Sequence, residues 1–183
     1  NYPLILTVSP LVEALLAGNT VVLKPSEHTP LTTELLKTVW DEATDRPELF
    51  QPVYGAGELG SALVTSPQTD VICFTGSTVV GRKIAEACAP LFKPVILELG
   101  GKDPMIILED ADIDRSVEAA IWGGFSNAGQ TCISVERIFA HEKIYSEIVK
   151  KLSKEVQKKI SGIGDTPIGA ISVDVSMEKI KQQ

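Results

Sequence analysis

Short apolar runs alternate with longer stretches of mixed polarity along the first hundred residues. Thr20-Val21-Val22-Leu23, Gln51-Pro52-Val53-Tyr54, Val71-Ile72-Cys73-Phe74 and Pro94-Val95-Ile96-Leu97 read as four strands. Between them, the spacing of apolar positions predicts helices from about Leu31 to Ala43, from Glu58 to Val64 and from Thr78 to Ala89. A further helix-like pattern opens almost at the first residue. The strands are apolar along their length rather than alternating, which points to an α/β fold whose open parallel sheet is covered on both faces.

The pattern restarts beyond Gly100-Gly101. Pro104 to Leu108 is a strand, Asp112 to Phe125 a helix with an acidic first turn, Arg137 to Ala140 a strand, and Lys143 to Ile160 a long amphipathic helix. We place a hinge at the glycine pair, dividing the chain into residues 1–100 and 101–183. No internal repeat or low-complexity segment interrupts the pattern.

Composition narrows the class. The chain has 183 residues, enough for one good core or for parts of two domains; 44% of them are hydrophobic and 22% charged, as in a globular protein. A formal net charge of -7 argues against nucleic acid or an anionic membrane as partner, and no apolar run reaches membrane-spanning length. Three cysteines without regular spacing suit a reducing, cytoplasmic compartment; two histidines make a zinc site a poor fit, so no metal is expected. The sequence begins at Asn1 without methionine and stops in a helical pattern, so the expectation is a window truncated at both ends of a longer protein, with any targeting segment outside it.

Two glycine turns and one cysteine are the candidate chemistry. Gly55-Ala56-Gly57-Glu58-Leu59-Gly60 has the spacing of a dinucleotide fingerprint between a strand and a helix. The acidic residue that should end the following strand is missing, because Asp70 precedes that strand. Phe74 to Gly81 joins a buried strand directly to a helix, whose free N–H groups favour an anion, and Ser77 adds a hydroxyl. A strand-to-helix turn with a serine cap explains the same residues equally well. Lys24-Pro25-Ser26-Glu27 follows a strand at the edge where such sheets bind nucleotides, although a solvated loop would look the same. Asn127-Ala128-Gly129-Gln130-Thr131-Cys132 puts a cysteine after a flexible turn, and Glu98 precedes a glycine pair; a thiol becomes a nucleophile when its pKa is lowered or a base takes its proton. Cys73 and Cys88 read as core residues, Trp40 and Trp122 as helical core, and His28 and His141 as solvated loop positions. The lysines from Lys150 to Lys159 read as one solvated helix face.

Together these pieces resemble the aldehyde dehydrogenase superfamily. The resemblance is carried, in family order, by Asn1-Tyr2-Pro3-Leu4, Gly18 to Glu27, Phe74 to Gly81, Glu98 to Lys102 and Gly129 to Cys132, with a weaker continuation at Ile168 to Ser172. It implies the Rossmann-like fold of that family, with most of a dinucleotide-binding domain in residues 1–100 and the start of a catalytic domain in 101–183. It also implies NAD(P)-dependent oxidation of an aldehyde to a carboxylic acid. Cys132 would attack the aldehyde as a thiolate, the Asn1 amide and the Cys132 N–H would meet the oxyanion, and Glu98, held in an apolar pocket that raises its pKa, would activate water against the thioester. Lys24 and Glu27 would bind the adenosine ribose, Gly76, Ser77 and Gly81 the pyrophosphate, and the turn containing Gly57 would lie by the adenine. A carboxylate at Glu27 favours the free ribose hydroxyl of NAD, with NADP possible because Lys24 is near. The parent is expected to be a homo-oligomer.

The chain departs from the family at Ser9-Pro10, where many members carry a tryptophan-lysine pair assigned to a proton relay; the proline resembles the class 3-like branch. Two other readings stay open. One is a non-catalytic fragment that keeps the fold and nucleotide binding; the other is a thiol esterase acting through Cys132 without cofactor.

Overall fold

A computed structural model describes residues 1–158, 168–171, 177, 180 and 181. Ser172, Lys159 and Ile160, on which parts of the expectations fall, lie outside them. The chain forms two compact units, Tyr2–Leu99 and a second one made of Asn1 with Gly100–Gln183.

The first unit contains α1 (Ile5–Leu16), β1 (Val21–Leu23), α2 (Pro30–Ala43), β2 (Phe50–Pro52), α3 (Gly57–Thr65), β3 (Ile72–Thr75), α4 (Thr78–Cys88) and β4 (Val95–Glu98). Its order is that of strand–helix crossovers, and its strands pair in parallel: Val21 opposite Phe50 through Leu23 opposite Pro52, and Ile72 opposite Val95 through Thr75 opposite Glu98. Local chemistry sets the helix starts. Pro30 opens α2, where its fixed φ suits the helix and its missing N–H would have had no partner. Ser77 caps α4, its Oγ accepting from the Val80 N–H at 3.3 Å. Pro10 lies inside α1 and leaves one interior helix bond unmade.

Two small cores hold this unit. Phe50 is fully buried and meets the Trp40 ring edge-on, with centroids 6.3 Å apart. Val64, Ile72 and Cys88 pack together behind β3 and β4, with Ile84, Ala87 and Val95 around them. Lys93 closes the end of α3: its Nζ donates to the carbonyl of Val64 at 2.9 Å, to the Thr69 hydroxyl at 2.8 Å and to the carbonyl of Ser66. A cation at the carboxyl end of a helix satisfies carbonyls that the helix itself leaves open.

The second unit contains β5 (Asp103–Ile107), α5 (Ile113–Phe125), β6 (Val135–Ala140) and α6 (Glu142–Gln157). β5 and β6 are parallel, with a register shift between Asp103 and Pro104, where the proline has no N–H to give the ladder. Ile107, Val117 and Ile148 form the core, joined by Met105, Ile138 and Leu152. Asp112 caps α5 by accepting from the Arg115 N–H at 3.0 Å, and Lys151 on α6 bonds Asp114 on α5 at 2.8 Å.

The parallel α/β class is as expected from the sequence; among the described residues the strands pair as two-stranded parallel ladders, β1 with β2, β3 with β4 and β5 with β6. Coverage on both faces is not what these residues build. Val22, Ile96 and Ile106 are 50%, 53% and 70% exposed, and burial alternates along each of their strands. Three side chains also differ from expectation. Trp122 is 76% exposed rather than core, and Cys73 is exposed while Cys88 is buried as expected. His141 caps α6 through Nδ1, which accepts from the Lys143 N–H at 3.3 Å. His28 is exposed, as expected.

Replacing Lys93 with methionine keeps the length of the side chain and removes its donors. We expect the first unit to lose about 2 kcal/mol, the scale of hydrogen bonds to a charged group, as read by urea unfolding. An unchanged midpoint would show that the three acceptors find water instead.

Candidate active site

Parallel pairing brings the carboxyl ends of β1 and β2 to one edge. Lys24 follows β1 directly, and its Nζ donates to the carbonyls of Pro25 at 2.9 Å and Gly55 at 3.0 Å, so it lies across the first glycine turn. Glu27 approaches the same ammonium at 3.6 Å. A hydrogen bond from the backbone is the main cause holding the Glu27 carboxyl below the usual carboxylate range; burial opposes it, and the charges of Lys24 and His28 assist. A Cβ added to Gly57 would meet nothing, so open space stands at the first turn of α3.

β3 and β4 bring a second set to their common edge. The Gly76 N–H donates to the Glu98 carbonyl at 3.0 Å, which fixes the turn at Gly76-Ser77 beside the last residue of β4. The surroundings leave no room for larger residues here. A Cβ on Gly76 would fall 2.5 Å from the Phe74 ring, and one on Gly81 2.5 Å from the Leu99 side chain. The Ser77 cap uses the acceptor side of its hydroxyl and leaves the proton free to point at an anion. The two readings of this turn are compatible, because a capped helix start still leaves N–H groups that an anion could meet.

Glu98 is exposed, so the apolar pocket expected around it is not formed by its own unit. Its charge is felt by a neighbour across the ladder: partial burial pushes the Cys73 thiol up, and the carboxylates of Glu98 and Glu13 add to the shift.

Cys132 sits in the second unit, in the loop between α5 and β6. After Phe125 the chain makes a short turn over Ser126–Gly129, in which Asn127, Ala128 and Gly129 all have left-handed backbone, with φ of 53°, 58° and 75°. Glycine adopts that conformation freely, asparagine tolerates it, and alanine pays about 1–2 kcal/mol for it. Gly129 is needed for a second reason, since a Cβ there would fall 3.2 Å from the Gly124 carbonyl. The loop then closes on itself: the Ser134 N–H donates to the Thr131 carbonyl at 3.1 Å, and the buried Ser134 hydroxyl donates to the Gly123 carbonyl at 3.1 Å. Cys132 and Ile133 are left exposed at the tip.

Asn1 meets this loop through its main chain. The Asn127 side-chain amide donates to the Asn1 carbonyl at 3.3 Å and to the Gln130 carbonyl at 3.2 Å. The Arg137 guanidinium holds the Lys102 carbonyl with two bonds, of 3.1 and 2.6 Å, which secures the segment after the glycine pair to β6. The structure thus groups Asn1 with the Cys132 loop, Lys24 and Glu27 with the turn around Gly57, and Gly76, Ser77 and Gly81 with the end of β4 at Glu98. By sequence, Asn127 stands out only as the start of the cysteine's turn, with no role of its own, and Ser134 and Arg137 have none. Asparagine tolerates left-handed backbone, a weak signal at Asn127, which Ala128 follows; nothing in the sequence marks Ser134 or Arg137. Among the described residues, no cluster of three metal-binding side chains occurs and no helix is long and apolar enough to cross a membrane.

Comparison with known proteins gives these geometries a setting. The sequence profile of the aldehyde dehydrogenase family matches residues 1–183. The chain is 39% identical to human 2-aminomuconic semialdehyde dehydrogenase over 185 residues, which is 99% of this chain and 38% of that protein. It is 40% identical to the NADP(+)-named D-glyceraldehyde dehydrogenase of Picrophilus torridus, over 90% of this chain and 33% of that one. Among solved structures, PnpE in complex with nicotinamide adenine dinucleotide superposes with a TM-score of 0.93 at 34% identity, covering 99% of this chain and 38% of the other. The chain therefore spans between a third and two fifths of the length of these relatives. With every residue inside the family profile and the fold shared, the chain belongs to the aldehyde dehydrogenase family.

Proposed function

We propose that this chain supplies the dinucleotide-binding part, residues 1–100, and the nucleophile-bearing part, residues 101–183, of an enzyme that oxidises an aldehyde to a carboxylic acid with NAD or NADP. The observation that carries the reading is the clustering at the β3–β4 edge: an anion-competent helix start at Ser77, two glycines with no room for a side chain, and a carboxylate at Glu98, tied together by the Gly76–Glu98 hydrogen bond.

The residues present fit a dinucleotide. Open space at Gly57, the Lys24 ammonium with Glu27 beside it, and the free Ser77 proton at the start of α4 are the donors and clearances that a ribose and a pyrophosphate require. Bound there, the dinucleotide would supply the acceptor for a hydride. The names of the relatives include both an NADP(+) enzyme and an NAD complex. Glu27 favours NAD, since its carboxyl is held in the charged form and would repel a ribose phosphate.

The chain's own residues then divide the work. The Cys132 thiolate adds to the aldehyde carbon. The Asn1 side-chain amide and the Cys132 N–H stabilise the oxyanion so formed, a type of interaction that costs about 10²–10³ in rate when one donor is removed. Once the substrate carbon has lost its hydride and become a thioester, Glu98 takes a proton from water. The hydroxide adds to the thioester carbon, and the thiolate leaves with the carboxylic acid free. The exposed position of Glu98 gives it access to that water.

Three outcomes test this in the whole protein. Cys132→Ala should lower aldehyde-dependent formation of reduced nicotinamide by about 10⁴-fold or more, as loss of a covalent nucleophile does elsewhere. Unchanged turnover there would end the mechanism, and retained nucleotide binding with no turnover in the parent would favour a binding module. Glu98→Gln should keep the first-turnover burst while slowing the steady state by about 10²-fold, the lower end for a general base. A burst that vanishes while the Cys132 thiol still alkylates normally would assign Glu98 elsewhere. Glu27→Gln should shift preference toward NADP by about tenfold, the effect of removing one charge repulsion of ~1.4 kcal/mol. An unaltered NADP to NAD ratio of kcat/KM would remove Glu27 from cofactor choice.

A further inference from the structure

Asn127 has no part in the chemistry proposed above, yet its side chain bonds both the main chain of Asn1 and the loop that carries Cys132. Its Nδ2 has two protons. One goes to the main-chain carbonyl of Asn1 at 3.3 Å and the other to the carbonyl of Gln130, two residues before Cys132, at 3.2 Å. Asn1 and Asn127 are 126 positions apart, so this is a tertiary tie and not turn chemistry alone.

The amide is itself held. The Asn127 carbonyl accepts from the Gln130 N–H at 3.2 Å and from the Gln130 side-chain amide at 3.1 Å, so backbone and side chain of residues 127 and 130 bond reciprocally. The backbone beneath is the left-handed run described above, which Asn127 enters at φ 53°. A turn that needed only closing would accept glycine or aspartate at this position. Of these three residues, only asparagine, through its carboxamide, also donates to two carbonyls.

We propose that Asn127 is a positioning residue: its amide holds the main chain of Asn1 at a fixed distance from the loop carrying Cys132, so that the oxyanion donor and the nucleophile share one register. The proposal rests on the roles given above to Asn1 and Cys132. It concerns oxyanion stabilisation alone, which a cofactor-free reaction can report. With p-nitrophenyl acetate the Cys132 thiolate bonds to the acetyl carbon, the tetrahedral oxyanion forms, and its collapse breaks the ester C–O bond and expels coloured nitrophenolate, leaving an acetyl thioester.

The experiment measures the burst rate of nitrophenolate release in the whole protein for Asn1→Ala, Asn127→Gly and the double variant. In parallel, iodoacetamide alkylation of Cys132 reports thiol reactivity without an oxyanion. Asn1→Ala keeps the carbonyl that Asn127 holds and should slow the burst by about 10²-fold. Asn127→Gly suits the left-handed backbone and should slow it by about tenfold through misplacement, in the otherwise natural protein. On the Asn1→Ala background the same change should cost less than about twofold, because the donor it positions is gone. Alkylation should change by less than about twofold throughout, since displacement at a saturated carbon makes no oxyanion.

Equal losses on both backgrounds, a parallel loss of alkylation, or no loss at all would each overturn the proposal. If Asn1→Ala alone leaves the burst intact, the role of Asn1 under the proposed function is wrong and this inference falls with it. Should Asn127→Gly fail to accumulate as folded protein, Asn127→Asp keeps the size and backbone tolerance while lacking both donors, and the same comparison applies. Misfolding of both would make Asn127 a folding residue and overturn the positioning role.

Discussion

Parallel pairing is the constraint on which the rest of this structure depends. A parallel pair cannot be closed by a tight hairpin, so each return passes through a helix, and the carboxyl ends of both strands finish at the same edge. That is why Lys24, just past β1, reaches the turn just past β2. It is also why the turn after β3 bonds the last residue of β4. In both cases residues far apart in sequence become neighbours because the ladder leaves them no other place. The candidate cofactor residues are then a property of the edge, and the glycines at 76 and 81 record how tightly strand and helix approach there.

The Cys132 loop follows a different rule. It has no ladder to organise it, and it takes its shape from three left-handed residues and from hydrogen bonds closed by side chains. Ala128 carries a strain that a glycine would not, and such strain is retained where the surroundings fix it from several sides. Here those sides are the Asn127–Gln130 exchange, the buried Ser134 hydroxyl and the close approach of Gly129 to the Gly124 carbonyl. The result is an exposed thiol on a loop whose base is rigidly bonded.

Much of the fold was legible as a rhythm of apolar runs and amphipathic stretches, because that rhythm is the physical cause of strands and helices. The ends shifted by a residue or two where ladder register decided them, as at Val21, Phe50 and Ile72. Which strand faces would be covered was not legible: Val22, Ile96 and Ile106 are as apolar as their neighbours, and an apolar residue does not announce whether another surface will meet it. Cys132 and Glu98 stood out because their residue types are chemically distinctive in context. Lys93 did not, since its three acceptors belong to residues 24 to 29 positions earlier and a lysine looks alike wherever its ammonium ends. The tie from Asn127 to Asn1 was hidden for the same reason on a longer scale.

The two tryptophans fall one in each unit and in opposite surroundings. Trp40 lies edge-on to the buried Phe50, with its indole N–H shielded and unpartnered, while Trp122 is largely open to solvent on α5. The contribution of these two residues to an emission spectrum is therefore a sum of a blue component from the first unit and a red one from the second. Separating the two by quenching would let the melting of each unit be followed in one sample, with no label attached.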